Sequence, residues 1–151
     1  MIAIESYLRA PDGQFVPAEQ AAFEPADDLH IEGAIQLTVN YVDVLDRSLW
    51  DDVDQLWAYI ANMVESLGKS DSASTYFPDQ PIEFAIARVG GGKVRVWSVV
   101  GDVTRSSVID EGRFMTALRA AGLTFFDAMS RLVPANAATY RYSVAKLSQE
   151  A

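Results

Sequence analysis

The chain has 151 residues, half of them hydrophobic and 22% charged, with no cysteine and a formal net charge of −9 at pH 7. This composition is typical of a globular protein, and the lack of cysteine excludes disulfide bonds, cysteine-ligated zinc and thiol nucleophiles. The acidic balance argues against direct binding of nucleic acid.

The length predicts a single α+β domain over residues 1–151. No apolar run approaches the roughly 18–20 residues that a membrane helix needs. The N-terminal residues lack the basic and apolar segments of a secretion signal. We therefore expect a cytoplasmic protein that does not contact membranes. No cofactor motif is present, and none is predicted.

The charge is distributed unequally along the chain. Residues 1–67 contain thirteen acidic side chains and two arginines, a net charge of −11. Residues 68–151 contain eight acidic and ten basic side chains, a net charge of +2. Such asymmetry bears on partners and association rates rather than on fold.

The first part of the chain is predicted to be extended. Weak alternation indicates a strand over Met1–Leu8, and a short extended piece follows at Phe15–Val16. A further strand begins near Ile31. It either continues through Asn40–Tyr41 or turns there into a tight hairpin with Val42–Leu45, and we favour the hairpin although it lacks the usual glycine.

The clearest helical pattern runs from Ser48 to Leu67. Ser48 is a suitable N-cap and Asp51 suits the first turn. Gly68 is placed to end the helix. Apolar residues recur at helical spacing and predict one wide buried stripe, formed by Leu49, Val53, Leu56, Trp57, Ile60, Val64 and Leu67.

Residues 69–81 are predicted to be a polar loop. Three strands separated by glycine-containing turns follow it, Ile82–Val89, Lys93–Val100 and Val103–Ile109. If the turn at residues 90–92 has three residues, Ile86 lies opposite Val96 and Trp97 points to the other face of the sheet.

A second long helix is predicted from its cap, Asp110, to about Val133. Its buried stripe comprises Phe114, Leu118, Ala121, Phe125, Met129 and Leu132. Gly122 should weaken its middle by about 1 kcal/mol relative to alanine.

The tail beyond Pro134 has two possible structures. Asn136 is a possible cap for a short third helix, and the alternative is a strand through Tyr140 and Tyr142. The elements together predict an α+β fold, in which an antiparallel sheet of about five or six strands packs against two main helices on one face.

Acidic side chains cluster near the start of the first predicted helix, at Asp43, Asp46, Asp51, Asp52 and Asp54. Acids are favoured at helix N-termini for electrostatic reasons alone, so capping and solvation are one explanation. A negative surface for a basic partner is the other. The order of residues lacks the alternating ligands and the glycine of a calcium loop, and no metal site is predicted.

Four aromatic side chains complete the set of candidate binding residues, namely Trp50, Tyr76, Phe77 and Trp97. Aromatic residues like these usually pack at the edge of a core, but they are also enriched in interface hot spots. The single histidine, His30, precedes a strand and is expected to be an ordinary residue at the strand end.

The layout resembles a known class of small bacterial proteins. A hairpin-like segment over residues 37–45 precedes the helical Leu49–Trp57, and Tyr76–Pro81 then enters a series of strands. From about Ile35 to Leu132, this order is similar to immunity proteins of polymorphic-toxin systems. The resemblance implies a non-enzymatic inhibitor that binds a toxin, and it implies no catalytic residues.

Three functional hypotheses follow. The first is a protein-binding module, an immunity-type inhibitor whose acidic residues bind a basic toxin or nuclease. The second is a small-molecule-binding domain or small hydrolase, with a pocket between the sheet and residues 69–81 that uses Tyr76, Asp79 or His30. The third is a homo-oligomer that associates through the face of Trp97.

Overall fold

The computed structural model describes residues 1–149, and their secondary structure confirms the α+β class. The strands of the first part are β1 (Ile2–Arg9), β2 (Phe15–Pro17), β3 (Glu32–Val39), β4 (Val42–Leu45) and β5 (Asp51–Asp52). Those of the second part are β6 (Ser72–Tyr76), β7 (Ile82–Gly90), β8 (Lys93–Val100) and β9 (Val103–Asp110). The helices are α1 (Val53–Leu67), α2 (Glu111–Leu132) and α3 (Ala137–Ser148).

The strands form two antiparallel sheets rather than the one sheet of five or six strands that we predicted. The first sheet has the order β2-β1-β3-β4, and β5 also pairs with β3. The second has the order β6-β7-β8-β9. The prediction missed β5 because it is only two residues long. It missed β6 because an edge strand of serine, alanine and threonine carries no apolar alternation.

The second sheet has the predicted register. Ile86 pairs with Val96, and the ladder continues without interruption from Arg88 to Ile82. The three glycines at residues 90–92 all have positive φ angles, which residues with side chains rarely adopt. They explain why β7 and β8 turn here.

The hairpin between β3 and β4 is also confirmed, since Val39 pairs with Val42. Asn40 and Tyr41 have φ angles of 48° and 68°, the left-handed conformation that a two-residue turn requires. Hydrogen bonds to Asn40 stabilise this turn in place of glycine. Its Oδ1 accepts from the N-terminal ammonium at 2.7 Å, and its Nδ2 donates to the carbonyl of Val108 at 2.8 Å.

The first helix begins five residues later than predicted, at Val53, and its N-cap is Asp52 rather than Ser48. Ser48 lies in a turn in which its amide and hydroxyl both donate to the carboxylate of Asp46. The chain then pairs with β3, so Asp51 and Asp52 lie in a strand. The predicted end at Gly68 is confirmed.

The helices enclose an aromatic core beneath the first sheet. Trp57 of α1 is fully buried, donates from Nε1 to Ser6 Oγ at 2.9 Å and stacks on Phe125 of α2. Helix α3 confirms the helical interpretation of the tail. A Cβ at Gly122 would lie 2.6 Å from Leu147, so glycine allows α2 and α3 to approach closely.

Candidate functional site

Two neighbouring clefts share the lining residues His30, Ile31 and Glu32. The first cleft has a volume of about 530 Å³ and lies between the end of β1 and residues 23–27. The second has a volume of about 470 Å³ and lies between β5 and residues 79–80. We call the whole the acidic groove, because its carboxylates are Glu24, Asp27, Glu32, Asp51, Asp52 and Asp79.

Asp51 lies at the base of the groove and is only 4% exposed. Its carboxylate accepts backbone hydrogen bonds from Asp79 at 3.1 Å, from Gln80 at 3.0 Å and from Asp52 at 2.6 Å. A buried charge is tolerated when several donors replace its water, as they do here. Asp51 therefore fixes the loop between β6 and β7 against β5 and forms a rigid end of the groove.

Asp52 is 5% exposed and faces the middle of the groove. Its Oδ1 accepts from the amide of Ile31 at 3.1 Å, and its Oδ2 lies 3.4 Å from His30 Nδ1. The imidazole itself is mostly exposed. Asp52 therefore orients an accessible histidine that borders both clefts, instead of presenting its own charge to solvent.

Asp54, in the first turn of α1, has an unusual environment. Its Oδ2 accepts from the hydroxyl of Tyr140 at 2.8 Å, and its Oδ1 accepts from the amide of Gln55. Burial, reinforced by the hydrogen bond and charge of Asp52, raises the pKa of Asp54 to about 6. Burial and the neighbouring Asp54 also raise the pKa of Tyr140.

Arg9 lies at the junction of the two clefts. Its guanidinium carbon is 4.5 Å from the ring centroid of Trp50, and its Nη1 pairs with Glu32 at 3.2 Å. Stacking on an indole and pairing with a carboxylate are two interactions by which proteins recognise guanidinium groups. The wall of the groove therefore already holds one such group from its own chain.

The remaining predicted site residues do not join the groove. Asp43 is exposed on β4 and accepts from Thr38 at 2.8 Å. Asp46 pairs with Arg105 at 2.7 Å. Burial raises the pKa of Asp46, but hydrogen bonds from Ser48 and Arg105 outweigh that effect, so its pKa lies below the ordinary value.

The three aromatics of the second sheet also lie elsewhere. Phe77 lies just after β6, as the predicted loop position implies, and its side chain is buried in the core. Tyr76 is 64% exposed. By register it shares with Trp97 the face opposite the core, where Arg95 lies 4.4 Å from the Trp97 ring. The predicted binding residues therefore divide into the groove, the first turn of α1, β4 with the turn after it, the core and this face.

The sequence analysis did not name four charged residues that line the groove, Arg9, Glu24, Asp27 and Glu32. The available signal was an acidic stretch without periodicity over residues 17–28, which indicates an exposed, irregular segment. It could not reveal that residues 23–27 and Arg9 line one cleft, because their approach depends on contacts between segments distant in the chain. Asp79 and His30, named for the alternative pocket, do line the groove, whereas Tyr76 does not.

Within residues 1–149 no three histidine, cysteine or acidic side chains are grouped so that they could hold a metal ion. No helix in the same residues is long and apolar enough to cross a membrane. Comparisons with protein-family models, with curated proteins and with solved structures gave no significant match.

Proposed function

We propose that the protein binds a basic segment of another protein in the acidic groove and acts as an immunity-type inhibitor of a basic toxin or nuclease. The observation that carries this proposal is the groove itself. Four exposed carboxylates, those of Glu24, Asp27, Glu32 and Asp79, border a concave surface whose lining, within residues 1–149, contains a single arginine, Arg9, and no lysine.

Concavity strengthens the effect of these charges. Clefts lined by one sign of charge focus the field and raise the local concentration of oppositely charged groups. The exposed acids elsewhere have different surroundings: Asp43 lines neither cleft of the groove, and Glu65 lines a smaller cleft of about 290 Å³ together with Lys69, Arg119 and Lys146, whose positive charges oppose its own. The groove is therefore the surface on which a cationic partner gains most.

The chemistry of the wall favours arginine in the partner. Trp50 offers an indole face, and Glu32 offers a carboxylate that can bind a planar guanidinium. Arg9 occupies this position now, and a partner's arginine would extend the same stacking and pairing along the groove. Aromatic and arginine residues also contribute most to protein-interface hot spots.

The charge of the whole chain agrees with this role. The net charge of −11 in residues 1–67 steers a basic protein towards the half of the chain that supplies most of the groove. Inhibitors of basic toxins need fast association and a negative surface that occupies a positive site. The resemblance of the layout to immunity proteins is consistent with the same role.

Two variants of equal charge test the groove directly. Glu24→Gln/Glu32→Gln/Asp79→Asn removes three groove carboxylates, whereas Glu19→Gln/Glu65→Gln/Asp102→Asn removes three exposed ones elsewhere. The probe is a short fluorescent peptide of alternating arginine and serine, with a glutamine and serine peptide as its control. We expect the groove variant to lose about tenfold in affinity at low salt and the matched variant to lose less than about threefold. Equal losses would show that binding follows net charge and would contradict the groove.

Wild type, the groove variant and the matched variant can also be used to identify the partner. Lysate of the source organism is passed over each immobilised protein at low and high salt. A basic protein retained by wild type and by the matched variant, but not by the groove variant, is the target. If wild type or the matched variant inhibits the activity of the captured protein, the inhibitor role is supported. If the captured protein stays fully active in the complex, the groove binds it without inhibiting it, which contradicts the inhibitor role.

A second function has one specific observation in its favour. The cleft of about 470 Å³ lies where the alternative hypothesis placed a pocket, and it contains His30 oriented by the buried Asp52. An accessible histidine held by a carboxylate is suited to acid–base chemistry on a small cationic molecule. Titration of small guanidinium and ammonium compounds, followed by the backbone amide resonances of Ile31 and Gln80 in the same cleft, tests this. Saturable shifts that disappear in His30→Gln would favour it over protein binding.

A further inference from the structure

The outer strand of the second sheet, β6, pairs with β7 along one edge, and its other edge faces away from the sheet. At the two ends of the strand, the amide of Phe77 donates to β7 at 2.9 Å and the carbonyl of Asp71 accepts from β7 at 2.8 Å. Because hydrogen-bonded residues alternate along an antiparallel strand, the odd-numbered residues of β6 bond to β7. Ser72, Ser74 and Tyr76 therefore direct their amides and carbonyls outwards. We call these groups the β6 edge.

The β6 edge is accessible and unpaired. Ser72, Ser74 and Tyr76 are exposed, and within residues 1–149 their outward groups form no backbone–backbone hydrogen bond. The carbonyl of Tyr76 does accept from the hydroxyl of Thr75 at 3.1 Å. An exposed edge with free donors and acceptors is a template for a further strand.

The other outer strands are shorter or covered. β2 has three residues and ends in Pro17, which has no amide to donate, and β4 has four residues. The outer side of β9 lies against the first sheet, where Asn40 Nδ2 donates to the carbonyl of Val108 at 2.8 Å and Arg105 pairs with Asp46 at 2.7 Å. β6 contains no proline, charged residue or bulge. The usual devices that block an edge are therefore absent from β6.

A cleft of about 400 Å³ lies between β6 and α1. Its lining is uncharged and comprises Tyr59, Asn62, Met63 and Ser66 of α1, Ser70, and residues 72–75. A strand added at the β6 edge places every second side chain on the side of α1. Charged side chains there would lose water without gaining a partner, so the cleft selects small, uncharged ones.

The size of the cleft indicates what kind of segment can be added. In a second copy of the chain, α1 would also line the cleft beside β6. Two β6 edges paired about a twofold axis would therefore bring both α1 helices to the same place. A helix is about 10 Å across, and a cleft of about 400 Å³ cannot hold one in addition to a strand. The β6 edge therefore suits an isolated extended segment that has no helix packed behind it.

We propose that the β6 edge binds an extended, uncharged segment of a partner protein as a fifth, antiparallel strand of the second sheet. Backbone hydrogen bonds to Ser72, Ser74 and Tyr76 hold the segment, and its small side chains enter the cleft beside α1. Its other side chains lie next to Tyr76 on the outer face, where β-branched residues pack well. Binding here does not require the acidic groove or the basic partner proposed above.

The probe is a short blocked peptide of alternating threonine and alanine, and its control is the same peptide with every amide N-methylated. In an NMR titration we expect saturable shifts and several-fold slower hydrogen exchange at the amides of Ser72, Ser74 and Tyr76, which become donors. The amides of Ala73 and Thr75, already bonded to β7, should keep their protection. No saturable shift up to about 5 mM peptide, or equal shifts with the control, would overturn the proposal.

Two equal substitutions locate the binding edge. Ser74→Pro removes an outward amide of β6, and Ser106→Pro removes an outward amide of β9, and neither breaks a ladder hydrogen bond. We expect Ser74→Pro to weaken peptide binding at least about tenfold and Ser106→Pro to leave it within about twofold. Ser66→Trp, which fills the cleft from α1 and leaves β6 intact, should also weaken binding. Equal losses in the two proline variants would contradict the proposal.

Sedimentation of the free protein tests the alternative occupant, a second copy of the chain. We expect a monomer at concentrations up to about 1 mM, because the helix behind β6 prevents two edges from pairing. A dimer that Ser74→Pro dissociates would assign the β6 edge to a second copy and overturn the proposal.

Discussion

The acidic groove and the exposed face of the second sheet contain the same pair of side chains in different surroundings. In the groove, Arg9 lies 4.5 Å from the Trp50 ring, and on the sheet Arg95 lies 4.4 Å from the Trp97 ring. By register the sheet face comprises three rows, Ser72-Ala87-Arg95-Val108, Ser74-Ala85-Trp97-Ser106 and Tyr76-Glu83-Val99-Thr104.

The difference lies in charge and shape. The rows on the sheet contain one acidic and one basic side chain on the regular surface of a sheet, whereas the groove contains six carboxylates around a concavity. An arginine on a tryptophan is therefore ordinary surface packing on the sheet. In the groove the same contact lies within a field that attracts further cations. The comparison shows that an aromatic residue marks a binding site only in combination with its surroundings.

The largest expected difference between the two regions concerns stability. Asp51→Ala leaves three backbone donors without an acceptor, one in a buried hydrogen bond and two in partly buried ones, and we expect it to lower the free energy of unfolding by about 3 kcal/mol. Glu83→Ala on the sheet face should change it by less than about 0.5 kcal/mol. Urea unfolding measures both. A small effect of Asp51→Ala would mean that water replaces the carboxylate.

The second largest expected difference lies in how much Trp50 and Trp97 contribute to peptide binding. We expect Trp50→Ala to weaken binding of the arginine and serine peptide about tenfold, because the stacking face of the groove is lost. Trp97→Ala should leave the affinity within about twofold. Fluorescence anisotropy with the labelled peptide gives both values. Equal losses would place a second binding surface on the sheet.

Asp54, which follows the groove residues Asp51 and Asp52 in the chain, gives the stability of the protein a pH dependence. The pKa of Asp54 in the folded state is raised to about 6, so the folded protein binds more protons than the unfolded chain and stability falls as the pH rises from about 4 to about 6. After allowance for partial exposure, we expect a contribution of about 1 kcal/mol.

The measurement is urea unfolding across that pH interval. Asp54→Asn should remove this contribution, whereas Asp127→Asn, at an exposed site on α2, should preserve the wild-type slope. A slope that persists unchanged in Asp54→Asn would assign the dependence to other carboxyls.

The smallest expected effect concerns the arginines. Arg9→Met removes the cation of the groove, so we expect peptide affinity to rise by about twofold to fivefold at low salt. Arg95→Met should have no effect on affinity. The same anisotropy titration tests both variants. Weaker binding by Arg9→Met would mean that Arg9 orders Trp50 for the partner instead of competing with it.

Much of the fold followed from local residues. The cap of α2 was predictable because Asp110 accepts from the amide of Arg113, a purely local contact. The pairing of Ile86 with Val96 was predictable because a glycine turn and apolar alternation fix the register. The start of α1 was not, since Ser48 and Asp52 are both good caps and only pairing with β3 selects between them.

The candidate site was predicted only in part. The sequence placed Trp50, Asp51 and Asp52 among the binding residues, and the structure brings them to one groove. It also suggested that Asp51 would be a solvated first-turn residue, which is wrong because three backbone amides from two segments surround its carboxylate. Those amides lie up to 29 residues away, beyond any local pattern.

The sequence by itself determined the α+β class, the excess of acid in residues 1–67 and the positions of the long helices, because composition and periodicity are local properties. Only the tertiary structure decided that the second sheet is separate, that Gly122 is the contact between two helices, and that six carboxylates border one groove. Such features depend on contacts between segments distant in the chain, and the free energy of those contacts comes from packing and burial that no single segment encodes.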